Sequence, residues 1–210
     1  MGNTHYQLQY RAPHQDWLFV SLQGFFGNIL TGGSTICFEM MHHQEFLSEF
    51  KINPKDFYNF NIIKAYLGLI KRDLERLHKL PSLYDKRKCL AHAYRGYIFA
   101  REIMEGRTLR LRIEEYDKSI QNNFETIRNF ERPWEQGDDD VADFLYEKTM
   151  DLRAKAVERL QKKELALFMD PLNQKKLDES IYTFSKQQIV DLSTDLDLQV
   201  IREFIENGVN

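Results

Sequence analysis

Residues 54–106 read PKDFYNFNIIKAYLGLIKRDLERLHKLPSLYDKRKCLAHAYRGYIFAREIMEG. Within them Tyr66, Leu69, Ile70, Leu74 and Leu77 recur at helical spacing between a start signal, Asn53-Pro54, and a break at Pro81. A second run follows from about Tyr84 to Glu105 and stops at Gly106, the residue that most readily takes the left-handed turn closing a helix. Two long amphipathic segments back to back predict a mainly α, helical bundle-like fold.

Working outward, the N-terminal side alternates His5, Tyr6, Gln7, Leu8, Gln9 and Tyr10, which predicts a short strand near residues 5–10. From Asp16, a candidate N-cap, the residues Leu18, Leu22, Phe25, Phe26, Ile29 and Leu30 read as an amphipathic helix stopped by Gly32-Gly33. Another helix is expected from Ser34 or Thr35. On the C-terminal side Leu109, Leu111 and Ile113 alternate with Arg110 and Arg112, predicting a second short strand or extended arm near residues 108–113. Helices are expected near 114–129, 138–168 and 186–206, interrupted by Pro133, Gly137 and Pro171. The chain reads as one mainly helical domain over residues 1–170, with a C-terminal helical extension over 171–210 packed on it.

The composition is 42% hydrophobic and 29% charged in 210 residues, enough apolar material for a sizeable core. Two cysteines, Cys37 and Cys89, cannot build a disulfide scaffold or a four-thiolate zinc site. No apolar run reaches the ~18 residues of a membrane span, and the opening MGNTHYQLQY lacks the apolar core of a secretory signal. These features predict a cytoplasmic chain with no membrane partner.

The net charge is only −3, but Lys71–Arg112 holds twelve Lys or Arg against five Asp or Glu, a local balance of +7. An anion-facing surface is one reading of that asymmetry, and a solvated helix face is the other. Spacing sharpens the first. In Arg87-Lys88-Cys89-Leu90-Ala91-His92-Ala93-Tyr94-Arg95, the residues Lys88, His92 and Arg95 fall at i, i+4 and i+7 and share one helix face. Such a row suits a polyphosphate or nucleic-acid backbone, with Arg87 and Arg107 flanking it.

Three other patterns have weaker chemistry. Thr31-Gly32-Gly33-Ser34-Thr35 reads as a phosphate-binding turn or as a helix C-cap followed by an N-cap. Glu39 and His43 at i, i+4 lack a third metal ligand nearby, and Asp138-Asp139-Asp140 with Asp143 fits no calcium-loop spacing. No metal site is therefore assigned, and because no Ser-His-Asp or Cys-His signature occurs, ordinary hydrolase mechanisms find no support.

Phe25-Phe26 through Gly32 to Phe38-Glu39-Met40, followed by Lys88, His92, Ala93, Arg95, Ala100, Glu102, Ile103, Gly106 and Arg107, resembles predicted nucleotidyltransferases of the DNA polymerase β-like superfamily. The branch in question is associated with RNA repair in bacteria and phages. The resemblance spans roughly residues 16–170. It implies nucleotide transfer, Mg²⁺ brought with a nucleoside triphosphate, a cytoplasmic setting in a bacterial or phage-infected cell, and Lys88, His92 and Arg95 lining the nucleotide or RNA side of a cleft, with Arg87 and Arg107 flanking them. The superfamily's Gly-Ser turn and following Asp-x-Asp hold its metals, and here Gly33-Ser34 is followed by no Asp-x-Asp. The implied partners are therefore a nucleotide, RNA or DNA, and a second protein chain supplying the catalytic half. A shorter pattern, Arg87-x4-His92 with Tyr94, resembles HEPN-type ribonucleases and implies metal-independent RNA cleavage. A non-enzymatic interaction module of a phage or bacterium is the third reading.

Overall fold

A computed structural model describes residues 7–12, 15–20, 22–43, 53–129 and 140–167, with Lys175, Asp178, Glu179 and Tyr182 beyond them. The molecule is mainly helical. Strand β1 (Gln7–Ala12) pairs antiparallel with β2 (Gln15–Val20), in a register that sets Arg11 opposite Asp16 and Ala12 opposite Gln15. The helices are α1 (Leu22–Thr31), α2 (Thr35–Met40), α3 (Phe60–Arg76), α4 (Leu83–Met104), α5 (Lys118–Arg128) and α6 (Asp140–Gln161).

Local chemistry explains most boundaries. Asn59, Ser82 and Asp117 cap α3, α4 and α5, each accepting from the backbone N–H three residues on, at 3.2, 3.1 and 3.0 Å. Two helices end in the same six-residue turn. At the close of α1, Gly32 and Gly33 donate to Ile29 and Asn28, and at the close of α4, Gly106 and Arg107 donate to Ile103 and Glu102. Gly32 adopts φ +70°, and a Cβ there would lie 2.7 Å from the Asn61 backbone, so no other residue fits without displacement.

α3 and α4 form the central pair, α6 packs on both, and α5 packs on α4. Ile62, Ile63, Tyr66 and Ile70 of α3 are fully buried with Leu90, Ala93, Ile98 and Phe99 of α4, while Phe26, Ile29 and Phe38 close one end of this core. The chain leaving α6 returns to α3, where Phe60 N–H donates to Ala166 C=O at 2.8 Å.

Several boundaries differ from the sequence reading. The helix expected from Asp16 starts at Leu22, because Gln15–Val20 is held as a strand by β1. Pro54 opens a single 3₁₀ turn, Pro54–Phe57, before α3 begins at Phe60. Residues 108–113 form no strand. Among the described residues no neighbouring strand satisfies that backbone. The N–H groups of Leu109 and Arg110 donate instead to the hydroxyls of Tyr58 and Tyr116, each at 3.2 Å, and the arm runs into a 3₁₀ turn at Ile113–Glu115. The expected helices near 114–129 and 138–168 are shorter, as α5 and α6. The helix expected over 186–206 lies outside the described residues, as does most of 171–210.

Tyr58 also fixes the proton of a half-buried histidine. Its hydroxyl accepts from Leu109, so its own hydrogen points to His42 Nε2 at 3.3 Å, and His42 Nδ1–H donates to Phe38 C=O at 2.9 Å. Burial lowers the His42 pKa from 6.5 to about 4. The folded chain therefore binds this proton less readily than the unfolded chain. Stability from His42 is full above pH 6.5 and falls as the pH drops towards 4, by about 3 kcal/mol at about 1.4 kcal/mol per unit. Urea titrations at pH 7 and pH 4.5 should show that loss, and His42→Gln, which cannot titrate, should flatten the dependence; an equally steep dependence in the variant would contradict it.

Candidate functional site

The seam between α3 and α4 opens at its outer end into a cleft of about 450 Å³ lined by Arg72, Asp73, Arg76, Leu80, Asp85, Lys88, Cys89 and His92. Asp73 is the centre of this arrangement. It sits on the core-facing stripe of α3, three residues after Ile70, and its side chain is only 3% exposed. A buried carboxylate needs partners, and Asp73 has them: His92 donates Nδ1–H to Oδ2 at 2.5 Å, and Arg72 donates from Nε and Nη2 to Oδ1 at 3.0 and 2.9 Å. The Cys89 thiol donates to the Asp73 carbonyl at 3.2 Å.

Burial works to raise the Asp73 pKa. The hydrogen bonds from His92 and Arg72 outweigh it and hold the carboxyl below its ordinary value, so Asp73 is a carboxylate at neutral pH. His92 is thereby fixed through Nδ1, with 45% of its side chain exposed and Nε2 without a partner among the described residues. Burial raises the Cys89 pKa, and the Asp73 charge adds to that, so this thiol is poorly suited to act as a nucleophile.

The five residues singled out by sequence are distributed over several places. Lys88 and His92 line the cleft together. Arg95 does not join them. It reaches across to α2, where it pairs with Glu39, and its guanidinium carbon sits 4.8 Å from the Phe99 ring centroid. Glu39 also accepts from the Tyr66 hydroxyl at 3.2 Å. Burial raises the Glu39 pKa, with Arg95 opposing.

Arg107 is drawn back by the turn that closes α4. It donates to both Glu102 oxygens at 2.7 and 2.8 Å and also pairs with Glu105. These groups line a broader cleft of about 830 Å³ with Lys55, Arg101, Arg110, Tyr116 and Asp117, in which three carboxylates answer four cations. Arg87 faces elsewhere. It lies five positions before His92 on the same helix, an angular offset of about 140°, and it does not line the cleft. Tyr94, the third element of that shorter motif, is buried and accepts from Asn123 at 3.3 Å.

The sequence reading missed Arg72, Asp73 and Arg76. The available signal was Asp73 itself, an acid among the apolar residues Tyr66, Ile70, Leu74 and Leu77 of one helix face. The glycine-rich turn resolves into caps, with Gly32 closing α1 and the Ser34 hydroxyl accepting from Cys37 N–H at 3.3 Å. Glu39 and His43 line one small hollow with Arg95 and Arg112. Among the described residues, no three His, Cys, Asp or Glu converge as a metal site. None of the described helices is long and apolar enough to cross a membrane.

No family model, curated protein or solved structure matches the chain.

The Glu39–Arg95 pair is a structural tie, so reversing Arg95 should damage the fold before it affects any ligand. Arg95→Glu sets two half-buried carboxylates against each other and should cost about 2–4 kcal/mol in urea denaturation. A wild-type denaturation midpoint would contradict that assignment.

Proposed function

We propose that the chain binds the phosphates of a nucleotide or nucleic acid in the α3–α4 cleft, as the phosphate-binding part of a nucleotidyltransferase-like protein. The carrying observation is the contrast among its cations. Arg95, Arg101 and Arg107 each have a carboxylate partner, whereas Arg76 and Lys88 line the cleft with no carboxylate in ion-pairing distance among the described residues. Two permanent cations left open beside the fixed imidazole of His92 form a site of matching charge for phosphate oxygens. Arg72, its charge shared with Asp73, adds to the same wall.

On this reading the metal-holding acid pair is lost or comes from a second chain, and Mg²⁺ arrives with the nucleoside triphosphate. The setting is the cytoplasm of a bacterial or phage-infected cell. The short extended arm at residues 107–112 borders the neighbouring cleft rather than the phosphate site.

Calorimetry with Mg²⁺-ATP and with tripolyphosphate checks this. The Arg76→Glu/Lys88→Glu variant should bind at least tenfold more weakly, while Arg153→Glu, on α6 and outside this cleft, should bind as the wild type does. Equal affinity in the double variant, or no binding by the wild type, would remove the proposal.

One observation favours a second reading, metal-independent ribonuclease chemistry. The 2.5 Å hydrogen bond from His92 to Asp73 leaves Nε2 open towards the cleft, the arrangement of an oriented proton-transfer group. The cations beside it are then Arg72 and Arg76, in place of the Arg87 that the short motif implies. With EDTA present, single-stranded RNA should be cleaved by the wild type and not by His92→Ala, and Asp73→Asn should slow the reaction about tenfold or more. Cleavage at an unchanged rate in His92→Ala would sink this reading.

A further inference from the structure

An exposed aromatic ring lies one helical turn before Lys88 of the phosphate cleft. Tyr84, in the first turn of α4, is 72% exposed, the highest value among the large apolar side chains described. It precedes Lys88 by four residues and His92 by eight, so the three project from one helix face and span about 12 Å along the axis. On α3, Arg72 and Arg76 face them across the cleft, one helical turn apart. The cleft takes Arg72 and Arg76 from one helix and Lys88 and His92 from the other, and Tyr84 lies one turn beyond Lys88. An isolated exposed tyrosine needs no explanation. One placed in register with an open lysine and an oriented histidine has a specific chemical use.

We infer that the ligand of this cleft is a single-stranded polynucleotide, with one base stacked on Tyr84 and the adjoining phosphates between Lys88 and the Arg72–Arg76 row. The inference rests on the phosphate-binding reading and adds the ligand class. A bare polyphosphate gains nothing from Tyr84. A duplex buries both faces of each internal base against its neighbours, leaving no face for the ring, whereas an unpaired strand presents one at every nucleotide. The span of about 12 Å from Tyr84 to His92 also has room for more than one phosphate, about three at the ~3.4 Å spacing of a stacked strand. The pairing of a basic groove with an exposed ring is the usual arrangement of proteins that hold single strands with little sequence preference.

The test uses the full chain, with fluorescence anisotropy on a labelled 12-nucleotide oligouridylate and on a blunt RNA duplex of the same length, and calorimetry on tripolyphosphate. The single strand should bind more tightly than the duplex, with affinity falling with salt at a log–log slope of about −2 for three contacted phosphates. Tyr84→Ala should weaken single-strand binding about 5- to 100-fold, Tyr84→Trp should preserve it, and tripolyphosphate affinity should stay within about twofold in both. The exposed position of Tyr84 makes its removal neutral to the fold, which circular dichroism checks. If tripolyphosphate binds while Tyr84→Ala leaves the oligonucleotide unaffected, or the duplex binds as well as the single strand, the stacking inference fails and phosphate binding stands. If no phosphate probe binds, both fail.

Discussion

Everything described above depends on how closely α3 and α4 approach. Gly96 permits that approach: a Cβ at this position would lie 3.2 Å from both Ile70 Cγ1 and Leu69 Cδ2, so any side chain there would press on the facing helix. With the seam this tight, Tyr66 and Phe99 meet edge to face with centroids 5.9 Å apart, and Asp73 is near enough to hold His92 across nineteen residues of chain. One close crossing therefore supplies both the apolar core and the geometry of the polar site at its outer end. α6 and α5 thicken this pair without entering the cleft.

The same crossing sorts the charges. A carboxylate removed from water is stable only with cations or donors beside it, and the chain meets that need three times, with Asp73, Glu39 and Glu102. Each draws in an arginine, and two of these, Arg95 and Arg107, are cations that would otherwise face a ligand. Arg95 links α2 to α4, Arg107 secures the turn after α4, and Arg72 and His92 hold Asp73. The local excess of positive charge is thus partly structural, and within the α3–α4 cleft the cations without a carboxylate partner among the described residues are Arg76 and Lys88, beside the exposed edge of His92.

Periodicity made the main helices legible, because Tyr66, Ile70, Leu74 and Leu77 mark the buried face of α3 and Gly106 marks the end of α4. Periodicity could not separate Gln15–Val20 from a helix, since its structure depends on pairing with β1 rather than on its own pattern. The alternation at residues 108–113 suggested a strand for the converse reason: the pattern is present and a partner strand is absent among the described residues. Lys88 and His92 were legible as a row because both belong to one helix. Arg95 left that row because Glu39, fifty-six residues earlier, lies beside it, and no local spacing encodes such a contact. Arg72, Asp73 and Arg76 were hidden in the same way, being brought to the site by the neighbouring helix.

The most direct test of the central claim, that phosphate is held between Arg76, Lys88 and His92, is an NMR titration with tripolyphosphate, following the histidine ring protons of the full chain. The His92 ring resonances should shift saturably, while those of His42, half-buried and outside the cleft, stay in place. An unchanged His92, or saturable shifts confined to the arginines of the Glu102 cleft, would contradict it.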